Sequence, residues 1–279
     1  MKFLFSLLSA LLLACIACAV NSLEQEFLCP ICGTHWRQRI ETSSRAKGLR
    51  LDLRQVGDVV DPPTLPQCTK CRFPLFSDRL TEQAKDPAKA RAFKRLASFV
   101  LGADFQMLAA KNPSYFALAQ VQQVLNAPHR HIALSYLRAS WQVEDREIPR
   151  RRLLEKACEH YMAALAQAGP DDPQHGELAL LCGEIERRLG KWDDAAKRFS
   201  ELESSRILKG TPQADIPALQ LRLIARHDSA PHLLDGADVA QPGEKPALQL
   251  ALPSLMGKPD DALKLGQPSK APSEAPQEK

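Results

Sequence analysis

Cys29-Pro30-Ile31-Cys32 and Cys68-Thr69-Lys70-Cys71 decide the fold of this chain. Each Cys-x-x-Cys places two thiolates on one tight turn. Two such turns facing each other supply the four soft ligands, at ~2.3 Å, that tetrahedral zinc takes in a closed structural site. The pairs sit 35 residues apart, and the pattern predicts a zinc ribbon with Cys29, Cys32, Cys68 and Cys71 as ligands. Four cysteines fill the metal's shell and leave no position for a reacting water, so the site holds a fold rather than catalysing.

Between the pairs, Leu49, Leu51 and Leu53 alternate with Arg50, Asp52 and Arg54. This period of two predicts a strand with one buried face, and residues 34–42 are its expected partner. The ribbon module spans 27–80, and its apolar content is so thin that metal binding contributes much of its folding free energy. His35 follows Cys32 by three residues and is expected at the surface beside Trp36. The other histidines, His129 and His131 included, have no acidic or cysteine partner at ligand spacing.

The two ends differ from the middle. Residues 3–20 are uncharged and almost wholly apolar behind Lys2, the layout of an export signal over residues 1–20. Leu12-Leu13-Ala14-Cys15 has the form of a bacterial lipobox with Cys15 lipidated, whereas Ala17-Cys18-Ala19 fits ordinary signal peptidase. The run also approaches the ~18 residues of a membrane span. At the other end, residues 229–279 hold eight of the chain's 21 prolines and no Phe, Trp or Tyr. Such composition cannot offset its ordering entropy and predicts a disordered tail, with a short apolar patch at 248–255.

Export sets a tension with free thiols, because an oxidising compartment pairs them. Each Cys-x-x-Cys can close as its own disulfide, or the pairs can cross-link, or a thiol of lowered pKa can shuttle disulfides. The last lacks the βαβ setting of a thioredoxin-like site. Residues 29–95 carry 14 Lys or Arg against 7 Asp or Glu, in a chain of net charge +4. With Trp36, Phe73 and Phe76 interleaved, that surface has the composition of a nucleic-acid binder. Export argues against it, and anionic lipid headgroups attract the same charges.

From Asp86-Pro87 the punctuation becomes helical. Breaks fall at Asn112-Pro113-Ser114, at Ala127-Pro128 and at 169–173. Leu154, Ala157, Cys158, Tyr161 and Leu165 recur at three- and four-residue steps, as do Leu178, Leu181, Cys182, Ile185 and Leu189, which predicts two amphipathic helices. Cys158 and Cys182 stand nearly level across the intervening turn, where a disulfide staple is possible in an exported protein. The stretch from Gly183 to Phe199, with Leu189-Gly190-Lys191-Trp192-Asp193-Asp194-Ala195-Ala196, resembles the middle of a tetratricopeptide repeat. Gly183 and Ala195 are small where helices cross, Gly190 ends the first helix, and Trp192 and Phe199 fill the groove. Ile216, Leu219 and Leu223 mark a capping helix.

The ribbon and residues 124–202, including Ala133-Leu134-Ser135-Tyr136-Leu137-Arg138-Ala139-Ser140-Trp141, together resemble the bacterial domain-of-unknown-function family 2225. The resemblance covers residues 27–205. It implies N-terminal Cys-x-x-Cys pairs joined to tetratricopeptide-like helices, and a metal at Cys29, Cys32, Cys68 and Cys71. It implies no activity.

The expected architecture is α+β and mostly α: a small β zinc ribbon, then an antiparallel stack of about three tetratricopeptide-like hairpins over 86–227. No Ser-His-Asp order, paired carboxylates, phosphate-cradling glycine loop or His-Glu-x-x-His motif points to an enzyme or a small-molecule substrate. The expected role is that of an exported scaffold, a lipoprotein of the bacterial cell envelope or periplasm, with zinc in the ribbon and a protein or peptide in the helical groove. The alternatives are a thiol-disulfide oxidoreductase using the Cys-x-x-Cys pairs or, without export, a nucleic-acid-binding ribbon.

Overall fold

A computed structural model describes residues 21–42, 45–77, 87–170, 172–205 and 207–235. The expected export signal over residues 1–20, with Cys15, and residues 236–279 of the expected tail lie outside them. Among the described residues no helix is long and apolar enough to cross a membrane.

Four strands come first among the described residues. β1 (Asn21–Leu28) pairs antiparallel with β2 (His35–Thr42), setting Phe27 opposite Trp36 and Leu23 opposite Ile40. β3 (Arg45–Leu49) pairs antiparallel with β4 (Gln55–Asp58) in a separate sheet. The expected partnership is therefore corrected: residues 35–42 pair with the strand before the first cysteine turn, not with Leu49 and its neighbours. The Leu49–Arg54 alternation is also not one strand. β3 stops at Leu49, the chain turns through 51–53, and Leu53 takes a positive φ of 70°. Leu51 and Leu53 are buried as expected, but so are Arg50 and Asp52, each 2 % exposed.

Among the described residues eight helices follow: α1 (Pro87–Leu101), α2 (Ala103–Lys111), α3 (Ser114–Val124), α4 (His129–Trp141), α5 (Glu147–Gln167), α6 (His175–Arg188), α7 (Trp192–Ser205) and α8 (Ile216–Ala225). The prolines act where their fixed φ and missing N–H allow, at helix starts. Pro113 and Pro128 stand at the N-caps of α3 and α4. Each helix packs on the next, and α3 to α8 make a sequential antiparallel stack.

The α6–α7 hairpin has the close crossing that its small residues predict. A Cβ added at Gly183 would lie 2.5 Å from Phe199 Cζ, and Phe199 and Ala195 are wholly buried. Gly190 ends α6 with φ +74°. The Lys191 N–H donates to Glu186 O and the Gly190 N–H to Arg187 O, both at 2.9 Å, a Schellman closure that satisfies the last carbonyls of α6. Gly183→Ala is expected to lower stability by ~1–2 kcal/mol, because overpacking against a fixed ring outweighs alanine's better helix propensity. Gly169→Ala, with nothing within 4 Å, is the control, and denaturant unfolding of both variants checks the difference.

One apolar core runs through both halves. It contains Cys29, Cys68, Cys71, Trp36 and Phe73 from the cysteine turns and continues through Leu96, Val100 and Phe105 to α6. A smaller cluster under α7 and α8 includes Phe199, Leu202 and Ile224.

The ordered chain extends beyond the expected boundary at Ser229. The Leu51 N–H donates to His232 O and the Leu234 N–H to Leu49 O, each at 2.9 Å, with Arg50 opposite Leu233. Residues 228–234 thus form a strap along the ribbon. Arg187, fully buried, grips the strap from α6 by donating to the carbonyls of Asp228 and Ala230. Its charge is met by Glu184, whose Oε1 and Oε2 lie 3.0 and 2.9 Å from Nη2.

Candidate metal centre

The two cysteine turns are built alike. In the first, the Cys29 N–H donates to Thr34 O and the Gly33 N–H to Cys29 O. In the second, the Cys68 N–H donates to Phe73 O and the Arg72 N–H to Cys68 O. All four bonds measure 2.9 Å. The residue after each second cysteine adopts a left-handed conformation, Gly33 at φ 70° and Arg72 at φ 57°. Glycine does so freely and arginine at a cost, so the second turn is held by its surroundings. Part of that hold is Gln106 of α2, whose Nε2 donates to both Cys71 O and Val100 O at 2.6 Å.

These turns bring all four predicted sulfurs within 4.8 Å of one another. Cys29 Sγ lies 3.5 Å from Cys71 Sγ, and Cys32 Sγ lies 3.6 Å from Cys68 Sγ. A tetrahedron with ~2.3 Å metal–sulfur bonds has edges of ~3.8 Å, so the group is of the right size for a tetrahedral ion. The donor set fits a thiophilic metal. Cys29, Cys68 and Cys71 are buried and Cys32 is half-buried. All four are free thiols here. The Cys71 thiol against Cys29 pulls the Cys29 thiol down to about 5, overcoming its burial, and the same contact pushes Cys71 up. His35 is exposed and stands outside the group.

The aromatic residues of the ribbon are spoken for. Trp36 stacks on Phe27 with ring centroids 5.2 Å apart, and Trp36, Phe73 and Phe76 are all buried. None is presented to a base. Cys158 on α5 and Cys182 on α6 are buried and free, with no disulfide between them in this structure. Burial pushes both thiols up, Cys182 to about 12.

A buried charge cluster around Asp52 is invisible to motif reading. Asp52 accepts from Arg50 Nε and Nη2 at 3.0 and 2.7 Å, from Arg188 Nη1 at 3.1 Å, from Trp141 Nε1 at 3.1 Å and from the Arg54 N–H at 3.3 Å. Glu144 meets Arg50 Nη1 at 2.7 Å and also pairs with Arg54. The cluster ties the β3–β4 turn to the ends of α4 and α6. A second unpredicted pair is His129 Nδ1 and His160 Nδ1, 2.9 Å apart, with Gln123 Nε2 at 3.2 Å from His160 Nε2. Burial, with His129 second, lowers the pKa of His160.

The fold and centre define a protein with an N-terminal pair of facing cysteine turns, able to hold a metal ion, merged with a tetratricopeptide-like helical stack. Residues 23–216 match the family described as "Uncharacterized protein conserved in bacteria (DUF2225)". The chain belongs to that family. Comparison with curated proteins and with solved structures finds no match.

Proposed function

We propose that the protein is a non-enzymatic scaffold of the bacterial cell envelope, exported through its apolar N-terminus, anchored at Cys15, with a structural zinc at Cys29, Cys32, Cys68 and Cys71 and a helical stack that holds a protein or peptide segment. The observation that carries this reading is the closed four-sulfur group, whose ligand type and burial suit a structural ion. The oxidoreductase alternative needs a reactive thiol at the surface, and three of the four sulfurs are buried. A nucleic-acid role needs exposed stacking partners, and the ribbon aromatics are buried.

Support for partner binding comes from a groove of about 570 Å³ between α3 and α5, lined by Phe116, Ile148, Pro149 and Leu153 together with the mixed charges of Arg152, Glu155, Lys156 and Glu159. Ile148 is 68 % exposed, an apolar anchor point of the kind that docks peptides. Purified full-length protein is expected to carry one zinc per chain by elemental analysis, and cell fractionation is expected to place it in the envelope. A photo-crosslinking residue at position 148 is expected to trap one dominant protein in living cells. Recovery in the cytosol overturns export, and no adduct overturns the groove as the contact surface.

A further inference from the structure

The two turns of the cysteine centre meet sulfur to sulfur. Cys29 faces Cys71 at 3.5 Å and Cys32 faces Cys68 at 3.6 Å. These contacts share no atom, so both can become covalent in one molecule. Neither joins cysteines of the same turn: both run between turns that are themselves locked by backbone hydrogen bonds. Both sulfur pairs already stand in contact across the two turns, and a disulfide brings such a pair to ~2.05 Å.

We infer that the four-cysteine centre is a site of oxidative cross-linking by hydroperoxides, which joins Cys29 to Cys71 and Cys32 to Cys68 and keeps the ribbon closed without a metal. The inference rests on the four cysteines forming one centre, as the functional reading does, but not on which metal they hold. Cys32 is the point of attack, since it is the one half-buried thiol of the four. Its thiolate attacks one peroxide oxygen and the O–O bond breaks, giving a sulfenic acid and hydroxide. Cys68 then attacks the Cys32 sulfur and displaces the sulfenic oxygen, which leaves as water. Cys29 and Cys71 follow by the same two steps with a second peroxide. Each disulfide removes two electrons and two protons from a pair of thiols; hydrogen peroxide leaves as two waters, and an organic hydroperoxide as one water and its alcohol. The same four sulfurs thus serve as soft ligands while reduced and as a covalent lock once oxidised.

The chain's own cleavage sites make the pairing readable. Trypsin cuts after Lys70 and separates Cys68 from Cys71, while Cys29 and Cys32 stay together in the peptide ending at Arg37. Full-length, zinc-loaded protein is treated with hydrogen peroxide, quenched with N-ethylmaleimide, digested and weighed by mass spectrometry. A three-chain product is expected, joining the Arg37 peptide to residues 55–70 and to the dipeptide 71–72. In Cys32→Ser the Arg37 peptide is expected to link to the dipeptide alone, with Cys68 carrying maleimide. Undigested oxidised wild type is expected to keep its far-ultraviolet circular dichroism. An internal Cys29–Cys32 link with Cys68 joined to Cys71, a Cys32→Ser link to residues 55–70, or loss of the helical spectrum on oxidation overturns the inference. Protein that holds no zinc but gives the three-chain product leaves the cross-linking standing and removes the metal reading.

Discussion

Cys68→Ser is expected to abolish metal retention and to lower the melting temperature of the whole molecule, helices included. A serine hydroxyl is a poor replacement for a thiolate ligand, and structural zinc sites supply folding free energy on the order of 10 kcal/mol. The loss spreads because the ribbon has no private core: Cys29, Cys68 and Cys71 pack in the same apolar cluster as Leu96, Val100 and Phe105, and Gln106 of α2 donates to Cys71 O. If only half of that free energy reaches the helices, a chain of this size, at ~2–4 °C per kcal/mol, loses roughly 10–20 °C. Elemental analysis and circular dichroism at 222 nm measure the two effects separately. A variant that loses its metal while its helices melt unchanged would show that the two halves fold independently.

Asp52→Ala is expected to destabilise by about 3 kcal/mol, because it leaves two buried arginines, Arg50 and Arg188, with the single carboxylate of Glu144 between them. Their side chains are 2 % and 5 % exposed, so water cannot substitute. Arg151→Ala, which removes an exposed pair with Glu155, is the control and should change stability by less than about 0.5 kcal/mol. The same carboxylate sets a pH dependence. Burial by itself would raise its pKa, but Arg50 and Arg188 outweigh burial and hold it below the ordinary 3.8. A group depressed in the folded state contributes stability that is fully present above the unfolded value and lost as pH falls through the folded one. Wild type should therefore lose this contribution only below about pH 4, and Asp52→Ala should show a flatter acid limb in denaturant unfolding followed against pH.

The cysteine turns were readable from spacing alone because the chemistry of each lies within four consecutive residues. The same is true of α6–α7, where Gly183, Gly190, Ala195 and Phe199 each state their role locally. The Leu49–Arg54 alternation misleads for the complementary reason. A period of two is also produced by a short strand running into a turn, and whether Arg50 and Asp52 face water depends on Trp141, Glu144 and Arg188, 89 to 136 residues further along. No local pattern records partners at that distance. β1 has no clean alternation, since Gln25 interrupts the face that Leu23 and Phe27 share, and it adjoins the apolar N-terminus, which dominates the composition there. The strap at 228–234 hides in a proline-rich stretch because its hold comes from backbone carbonyls and amides, which leave no side-chain signature.

That strap also fixes the order of events at birth. The ribbon, made first, receives its final hydrogen bonds at Leu49 and Leu51 from His232 and Leu234, residues synthesised nearly two hundred positions later. The leading module of a growing chain therefore lacks these two hydrogen bonds until the trailing segment has been made.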